Sequence, residues 1–236
     1  MIIPSINEKK LSSMLIRKIK TNAVIFDMDG VITNTMPDHF HAWKEVLKCY
    51  QIHATYEDIY CREGQRGIQS VEEIFKKYGR TFSLKEGKKI LLEKEEFFKK
   101  IVKHRFIQGS RRFLKRLHKE NFVLALVTGT SRHELHRILP DGIYQLFSVI
   151  VTGSDVRNGK PHPEPFLKAL KQLKLSPASG VVIENAPFGI EAAKQAGLRC
   201  IALETSLPRK FLKKADAVFT SIKELEMKVK FVSGLG

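Results

Sequence analysis

The sequence predicts an α/β fold, an open parallel sheet flanked by helices and interrupted early by a helical insertion. Three observations predict it. Six short apolar runs rich in β-branched residues recur along the chain, each bounded by turn residues. Helical patterns separate the later runs. Between the first and second runs, residues 36–104 carry helical patterns and no strand.

The strands are expected at Ala23–Phe26, Val123–Val127, Val149–Val151, Val181–Ile183, Ile201–Leu203 and Ala217–Phe219. Their length and near-continuous apolar character suit strands buried on both faces, as parallel sheets require. Helices are expected at Arg132–Leu139, Pro165–Leu173 and Gly189–Ala196. Strand alternating with helix reads as βαβ units. In the insertion, His39–Tyr50, Ser70–Tyr78 and Leu84–Lys103 read as helices. In the last of these, Ile90/Leu91, Phe97/Phe98 and Ile101/Val102 form one apolar stripe, and Lys and Glu fill the opposite face. The expected organisation is a basic extension at 1–20, a core at 21–35 and 105–236, and a helical domain at 36–104.

The chain has 236 residues, long enough for one such core plus a small insertion. With 43% hydrophobic residues it can bury a core, which excludes wholesale disorder. The net charge is +16, which raises the question of a polyanionic partner. The excess is local. Residues 76–120 hold 16 Lys/Arg against 5 Asp/Glu, and residues 1–20 hold 5 against 1. The remainder is nearly balanced. The basic first segment also fits an organellar transit peptide, or a start at Met14. Cys49, Cys61 and Cys200 form no CxxC pair and no disulfide framework, which points to a reducing, cytoplasmic compartment. No run is long and apolar enough to span a membrane, so no membrane partner is expected.

Ligands of open parallel sheets bind beyond the carboxyl ends of the strands. Asp27-Met28-Asp29-Gly30 follows the first run and Thr128-Gly129-Thr130-Ser131 the second. Lys160 follows the third and Glu184-Asn185 the fourth. Acids, hydroxyls, a lysine and an amide thus converge on one edge.

These segments resemble the haloacid dehalogenase superfamily of aspartyl-phosphate enzymes. FDMDGVITNT, VTGTS, GKPHPEPF and VVIENAPFGIEAAKQAG match its four motifs in order, from about Asn22 to the C-terminus. The resemblance implies a Rossmann-like core with a small helical cap domain. HFHAWKEVL and the EGQRG loop resemble the β-phosphoglucomutase-like branch, and a Glu opening that loop is similar to inorganic pyrophosphatases of the same branch.

The resemblance implies a Mg²⁺-dependent phosphatase acting on a small phosphorylated, sugar-phosphate-like metabolite. Asp27 is the candidate nucleophile, forming an aspartyl-phosphate. Asp29 is the candidate general acid and then base, and Gly30 lets the backbone turn away. Thr128, the Gly129 N–H and Lys160 are expected to hold the phosphate. Thr128 has an alternative as a helix N-cap, for which Ser131 competes. His162, between two prolines, is expected to shape its loop. Mg²⁺ takes oxygen ligands and shares carboxylates with phosphate. The family uses the first Asp, the backbone carbonyl of the second and a fourth-motif acid, here Asp27, Asp29 and either Glu184 or Asn185. An Asn where many relatives carry Asp removes one negative charge, which is expected to weaken Mg²⁺ binding to the free enzyme or to suit a more highly charged anion.

In the cap, His39 and Trp43 share a helix face. His39, Glu63 and Arg66 are candidates to reach the substrate, Arg66 through a second phosphate and Glu63 through Mg²⁺-bound water or the leaving group. Trp43 is expected to pack inside the cap. Hinges are expected at Asn34–Met36 and His104–Gly109. The alternatives are β-phosphoglucomutase, against which Glu63 counts, and inorganic pyrophosphatase. A basic nucleic-acid-binding protein is the alternative of another class. Phe97, Phe98 and Phe113 fall on apolar stripes rather than among the exposed lysines, which argues against a nucleic-acid partner. A monomer is expected.

Overall fold

The computed structural model describes residues 17–234. A six-stranded, wholly parallel sheet is built from β2 (Ala23–Phe26), β3 (Val123–Val127), β4 (Val149–Val151), β5 (Gly180–Glu184), β6 (Arg199–Leu203) and β7 (Ala217–Phe219). Its order is β4-β3-β2-β5-β6-β7, so the strand that precedes Asp27 lies in the interior. All six expected strands are present.

Successive side chains of a strand point to opposite faces, and each face has its own apolar layer. Val24, Phe26, Leu124, Leu126, Val181 and Ile183 pack beneath Phe113, Leu114 and Leu117 of α5 (Ser110–Lys119). Ile25, Ala125, Val127, Val182 and Cys200 pack against Phe166 and Leu170 of α8 (Glu164–Leu173) and Ile190 of α9 (Pro187–Gln195). Burial on both faces explains why these strands read as unbroken apolar runs. Two shorter helices, α6 (Arg132–Ile138) and α7 (Asp141–Tyr144), lie between β3 and β4.

The insertion folds as α1 (Met36–Lys48), α2 (Tyr56–Tyr60), α3 (Gly67–Lys77) and α4 (Leu84–Ile101) around Trp43, Leu47, Ile59, Ile74, Phe75 and Ile90. α1 starts three residues earlier than the apolar pattern suggests, because Pro37 fits a first helical turn. α4 starts at a capping box in which Ser83 and Glu86 satisfy each other's backbone N–H. The five-residue α2 is too short to show a period. It is set by its own capping box, Thr55 with Asp58.

The basic-extension reading is corrected at its end. Arg17–Lys20 belong to β1 (Arg17–Thr21), which pairs in parallel with β8 (Val229–Ser233) after α10 (Ile222–Lys228) as a separate two-stranded sheet. Ile19, Val229 and Phe231 face the core, while Arg17, Lys18 and Lys20 are exposed. The exposed basic positions hid a strand inside what reads as a charge run. The transit-peptide and Met14 readings fall on residues 1–16, outside the described residues.

The two linkers to the cap pair with each other. Asn34 N donates to Arg105 O at 2.9 Å and Ile107 N to Ile32 O at 2.9 Å. Asp38 takes both Arg105 Nη2 contacts, at 2.8 and 2.9 Å. Among the described residues no helix is long and apolar enough to cross a membrane.

Phe113 joins α5 to both sheets, meeting Phe26 edge-on at 5.9 Å and Phe231 at 6.3 Å between centroids. Phe113→Ala is expected to cost about 3–5 kcal/mol of unfolding free energy. The measurement is a urea midpoint at unchanged slope.

Candidate active site

The strand register decides what can meet. Phe26 pairs with Leu126 on one side and Ile183 on the other, so Asp27, Val127 and Glu184 come level at the carboxyl edge. Lys160 is delivered there by the loop between β4 and α8. Its Nζ donates to Asp27 Oδ1 at 2.6 Å, Glu184 Oε1 at 2.7 Å and the Val127 carbonyl at 3.3 Å. Lysine side chains are rarely buried unless paired. Here the side chain is 1% exposed, and so is each carboxylate it joins. Burial of the lysine opposes its charge, but Asp27 and Glu184 outweigh that and hold its pKa above the usual lysine value. Burial raises the Asp27 carboxyl to about 8, with Glu184 and Asp29 adding to the rise and Lys160 opposing it.

Asp29 lies two residues on, also fully buried. Thr35 donates to its Oδ1 and Thr130 to its Oδ2, the latter at 3.1 Å. His39 Nε2 sits 3.4 Å from Oδ1. Burial opposes ionisation of Asp29, but His39, Thr35 and Thr130 together hold its carboxyl below the usual range. Neighbouring carboxylates are thus driven apart, Asp27 up and Asp29 down. His39 itself is fixed by stacking on Phe98, with centroids 4.1 Å apart, and by Lys94 Nζ at 3.1 Å from Nδ1. An ammonium has only donors, so Nδ1 accepts and Nε2 carries the hydrogen toward Asp29. Burial, then the charge of Lys94, lower the His39 pKa, so the neutral ring is favoured.

Both oxygens of Glu184 are occupied, Oε1 by Lys160 and Oε2 by the Asn185 and Ala186 N–H groups at 2.6 and 2.9 Å. Asn185 differs. Its Nδ2 donates to Ser206 Oγ at 2.8 Å, and its Oδ1 is buried without a partner. Asp27 Oδ2 is likewise buried and unpartnered. Buried polar atoms of this kind mark places where an ion or a ligand atom can bind. Among the described residues no group of three or more His, Cys, Asp or Glu could hold a metal ion. The mixed set of a carboxylate oxygen and an amide oxygen fits the preference of Mg²⁺ for hard oxygen ligands and retained waters. The geometry separates the two fourth-motif candidates, since Asn185 offers a free oxygen and Glu184 does not. Gly30, at φ +88°, sits against the Asn185 amide, and a Cβ there would overlap it.

Thr128 is buried beyond β3, and its Oγ1 accepts from Thr130 N at 3.1 Å. Ser131 is the N-cap of α6, so the competing role for Thr128 is filled.

A profile of the haloacid dehalogenase-like hydrolases matches residues 24–203, most of the described chain. The chain belongs to the haloacid dehalogenase-like hydrolases. It is 35% identical to a phosphorylated carbohydrates phosphatase of Thermotoga maritima over 187 residues, covering 76% of this chain and 83% of that protein. It is 33% identical to the β-phosphoglucomutase of Bacillus subtilis over 200 residues, covering 79% and 84%. Among solved structures, the β-phosphoglucomutase of Clostridium difficile matches with a TM-score of 0.76 at 27% identity, covering 87% of this chain and 93% of that one. The Rossmann-like core and the β-phosphoglucomutase-like branch expected from the four motifs are therefore correct, and the chain is a phosphatase of this family.

The cap of this haloacid dehalogenase-like phosphatase lies against the core. Gly64, at φ +77°, rests on the Lys160 stem, where a Cβ would collide. Glu63 is partly buried beside it. Burial, then the charges of Asp29 and Asp27, push its carboxyl well above the usual range. Arg66 is turned to the core and donates to the Arg157 carbonyl, so that part of its guanidinium clasps the loop before Lys160 rather than standing free for a phosphate. Trp43 packs in the cap interior, as expected, and its edge reaches the cleft. His162 Nδ1 accepts from Glu164 N at 3.1 Å, a loop-shaping contact. Four residues at the site escaped sequence reasoning: Thr35, Lys94, Thr130 and Ser206. Thr35 and Thr130 lie inside quoted motifs, so motif membership was the available signal. Lys94 and Ser206 had none.

Lys160→Met leaves two carboxylates buried without their cation. The expected loss is about 3–5 kcal/mol near neutral pH. Without the lysine, Asp27 is still easier to protonate when folded than when unfolded. A raised carboxyl stabilises the fold below its unfolded pKa and loses that stability as pH rises. The penalty is therefore expected to shrink from pH 8 toward pH 5, as read from urea midpoints.

Proposed function

We propose that this phosphatase hydrolyses a small phosphorylated metabolite of the sugar-phosphate type through an aspartyl-phosphate on Asp27, with Mg²⁺ as cofactor. The observation that carries the reading is the buried Asp27–Lys160–Glu184 trio beside Asp29, beneath the cap loop at Gly64. In the first step the Asp27 carboxylate attacks phosphorus, and the P–O bond to the leaving group breaks. The departing oxygen takes a proton from Asp29, which gains that proton from the monoanionic ester or from solvent as the substrate binds, while the neutral His39 gives up no proton and orients Asp29 through Nε2–H. In the second step Asp29 accepts a proton from water as that water attacks the phosphoryl group, which frees Asp27 and inorganic phosphate.

Thr128, the Gly129 N–H and Lys160 hold the phosphoryl oxygens. Asp27 and Asn185, each with a buried unpartnered oxygen, would hold the Mg²⁺ together with the Asp29 carbonyl. A bound Mg²⁺ offsets negative charge on the transferring phosphoryl group. Gly64 over Lys160 supports a cap that shuts solvent out during the first step.

The B. subtilis relative favours a second reading, phosphoryl transfer between positions of a sugar. Glu63 argues for hydrolysis instead, because an acid at this place in the cap loop offers no positive charge to hold a second phosphate for rebinding. The test is a phosphate-release screen with Mg²⁺ over sugar phosphates, nucleotides and pyrophosphate, and β-glucose 1-phosphate followed for glucose 6-phosphate. Asp27→Asn is expected to lower release on the order of 10³-fold or more. A mutant as fast as the parent overturns the mechanism. EDTA is expected to abolish turnover and added Mg²⁺ to restore it.

The neutral amide at position 185 weakens Mg²⁺ binding to the free enzyme. Asn185→Asp is expected to lower the Mg²⁺ concentration for half-maximal activity by about 3- to 10-fold. Unchanged metal dependence and substrate ranking would remove that role.

A further inference from the structure

A cavity of about 330 Å³, lined by both cap and core residues, reaches His39 and Thr130, the two residues that contact Asp29 from that side, and is within the range of small-molecule sites. The cations on its wall are engaged. Arg62 bonds Glu73 at 3.2 Å and the Asp58 carbonyl at 2.6 Å, Arg66 bonds the Arg157 carbonyl, and Lys94 bonds His39 while lying 4.9 Å from the centre of the Phe98 ring. Of its carboxylates, Asp58 pairs with Lys77, but the three glutamates are not engaged in the same way. Among the described residues Glu63, Glu95 and Glu134 make no ion pair.

Glu134, on α6 of the core, is 8% exposed. Its Oε2 accepts from Ser131 Oγ at 3.1 Å, while Oε1 is buried without any partner. Glu95 comes to the same cavity from α4 of the cap and is half-buried. Burial, then the charge of Glu134, raise its carboxyl, so the two acids sense each other across the cleft. A carboxylate only accepts, and a buried acceptor left empty is costly. What completes this wall is therefore a hydrogen-bond donor, not a second anion.

We propose that Glu134, with Glu95 opposite it, is a specificity-determining group that receives hydroxyl or ammonium donors of the leaving group and excludes substrates with a second phosphate there. The proposal rests on the phosphatase reading above. It narrows the substrate to a monophosphate ester of a polyol or amino sugar, and it sets bisphosphates and pyrophosphate apart as poor substrates.

The test is steady-state kinetics of the full chain with Mg²⁺ on glucose 6-phosphate, glucosamine 6-phosphate, fructose 1,6-bisphosphate, pyrophosphate and p-nitrophenyl phosphate. Parent, Glu134→Leu, Glu134→Gln and Glu95→Gln are compared. Sites built to bond a substrate's polar groups discriminate strongly when that bond is lost. Glu134→Leu is expected to raise KM for the better hydroxyl-bearing ester by roughly 10- to 100-fold. Its kcat/KM on p-nitrophenyl phosphate stays within about twofold of the parent. Glu134→Gln keeps the helix-capping geometry, so a merely structural role predicts no change for it. Under the proposal it narrows the preference for monophosphate over bisphosphate. Glucosamine 6-phosphate preferred over glucose 6-phosphate identifies the donor as ammonium, and the reverse identifies it as hydroxyl.

Parallel loss on p-nitrophenyl phosphate overturns the proposal, and so does an unchanged KM for both sugar esters. Equal use of bisphosphate or pyrophosphate by the parent overturns it too. A parent that releases no phosphate even from p-nitrophenyl phosphate instead overturns the phosphatase reading beneath it.

Discussion

A lysine ammonium buried at the meeting point of three strand ends is the constraint on which this structure turns. Taking Lys160 out of water costs several kcal/mol unless carboxylates repay the loss at close range. Asp27 and Glu184 do so from β2 and β5, whose register brings them level. Glu184 is held in turn by two backbone N–H groups where the chain enters α9, near the positive end of the helix. The result is a site whose sheet order, loop path and helix entry are fixed by one charge balance. Any shift of β5 against β2 would leave a charge in the interior without its partner.

The same balance explains why position 185 tolerates an amide. With Asp27 ionised, as a bound Mg²⁺ would require, Lys160, Asp27, Glu184 and Asp29 would together carry a net charge of two negatives. A divalent cation cancels that, and a further carboxylate at 185 would leave an excess. The two buried oxygens without partners, Asp27 Oδ2 and Asn185 Oδ1, are what such a cation would satisfy.

How far the sequence could reveal this follows from what each residue answers to. The six central strands were legible because burial on both faces leaves only apolar residues, and the motif residues were legible because they sit directly after those strands. β1 was not, since Arg17, Lys18 and Lys20 put charge on a strand whose inward positions are only Ile19 and Thr21. Lys94 was not either. On a helix whose polar face is crowded with lysines, nothing local tells which one turns inward, and only the packing of Phe98 on His39 selects it. For Arg66, loop position does not reveal that a carbonyl of the core meets part of its guanidinium. Glu184 and Asn185 were indistinguishable as ligands until backbone N–H groups were seen to occupy the acid.

The +16 charge and the acid-lined cavity act at different ranges. Part of the basic stretch is internally paired, as Arg105 is with Asp38, Arg112 and Arg116 with Glu226, and Lys99 with Glu96. The exposed remainder on α5 and α4 raises the local concentration of anions around the protein without choosing among them. Choice needs short contacts in a site shielded from water. There the side chains left without an ion pair are acids, Glu63, Glu95 and Glu134. On the proposed reading, a phosphate ester would seat its anion on Thr128, the Gly129 N–H and Lys160 and turn its donor-rich leaving group toward those acids, the alignment that in-line attack by Asp27 requires.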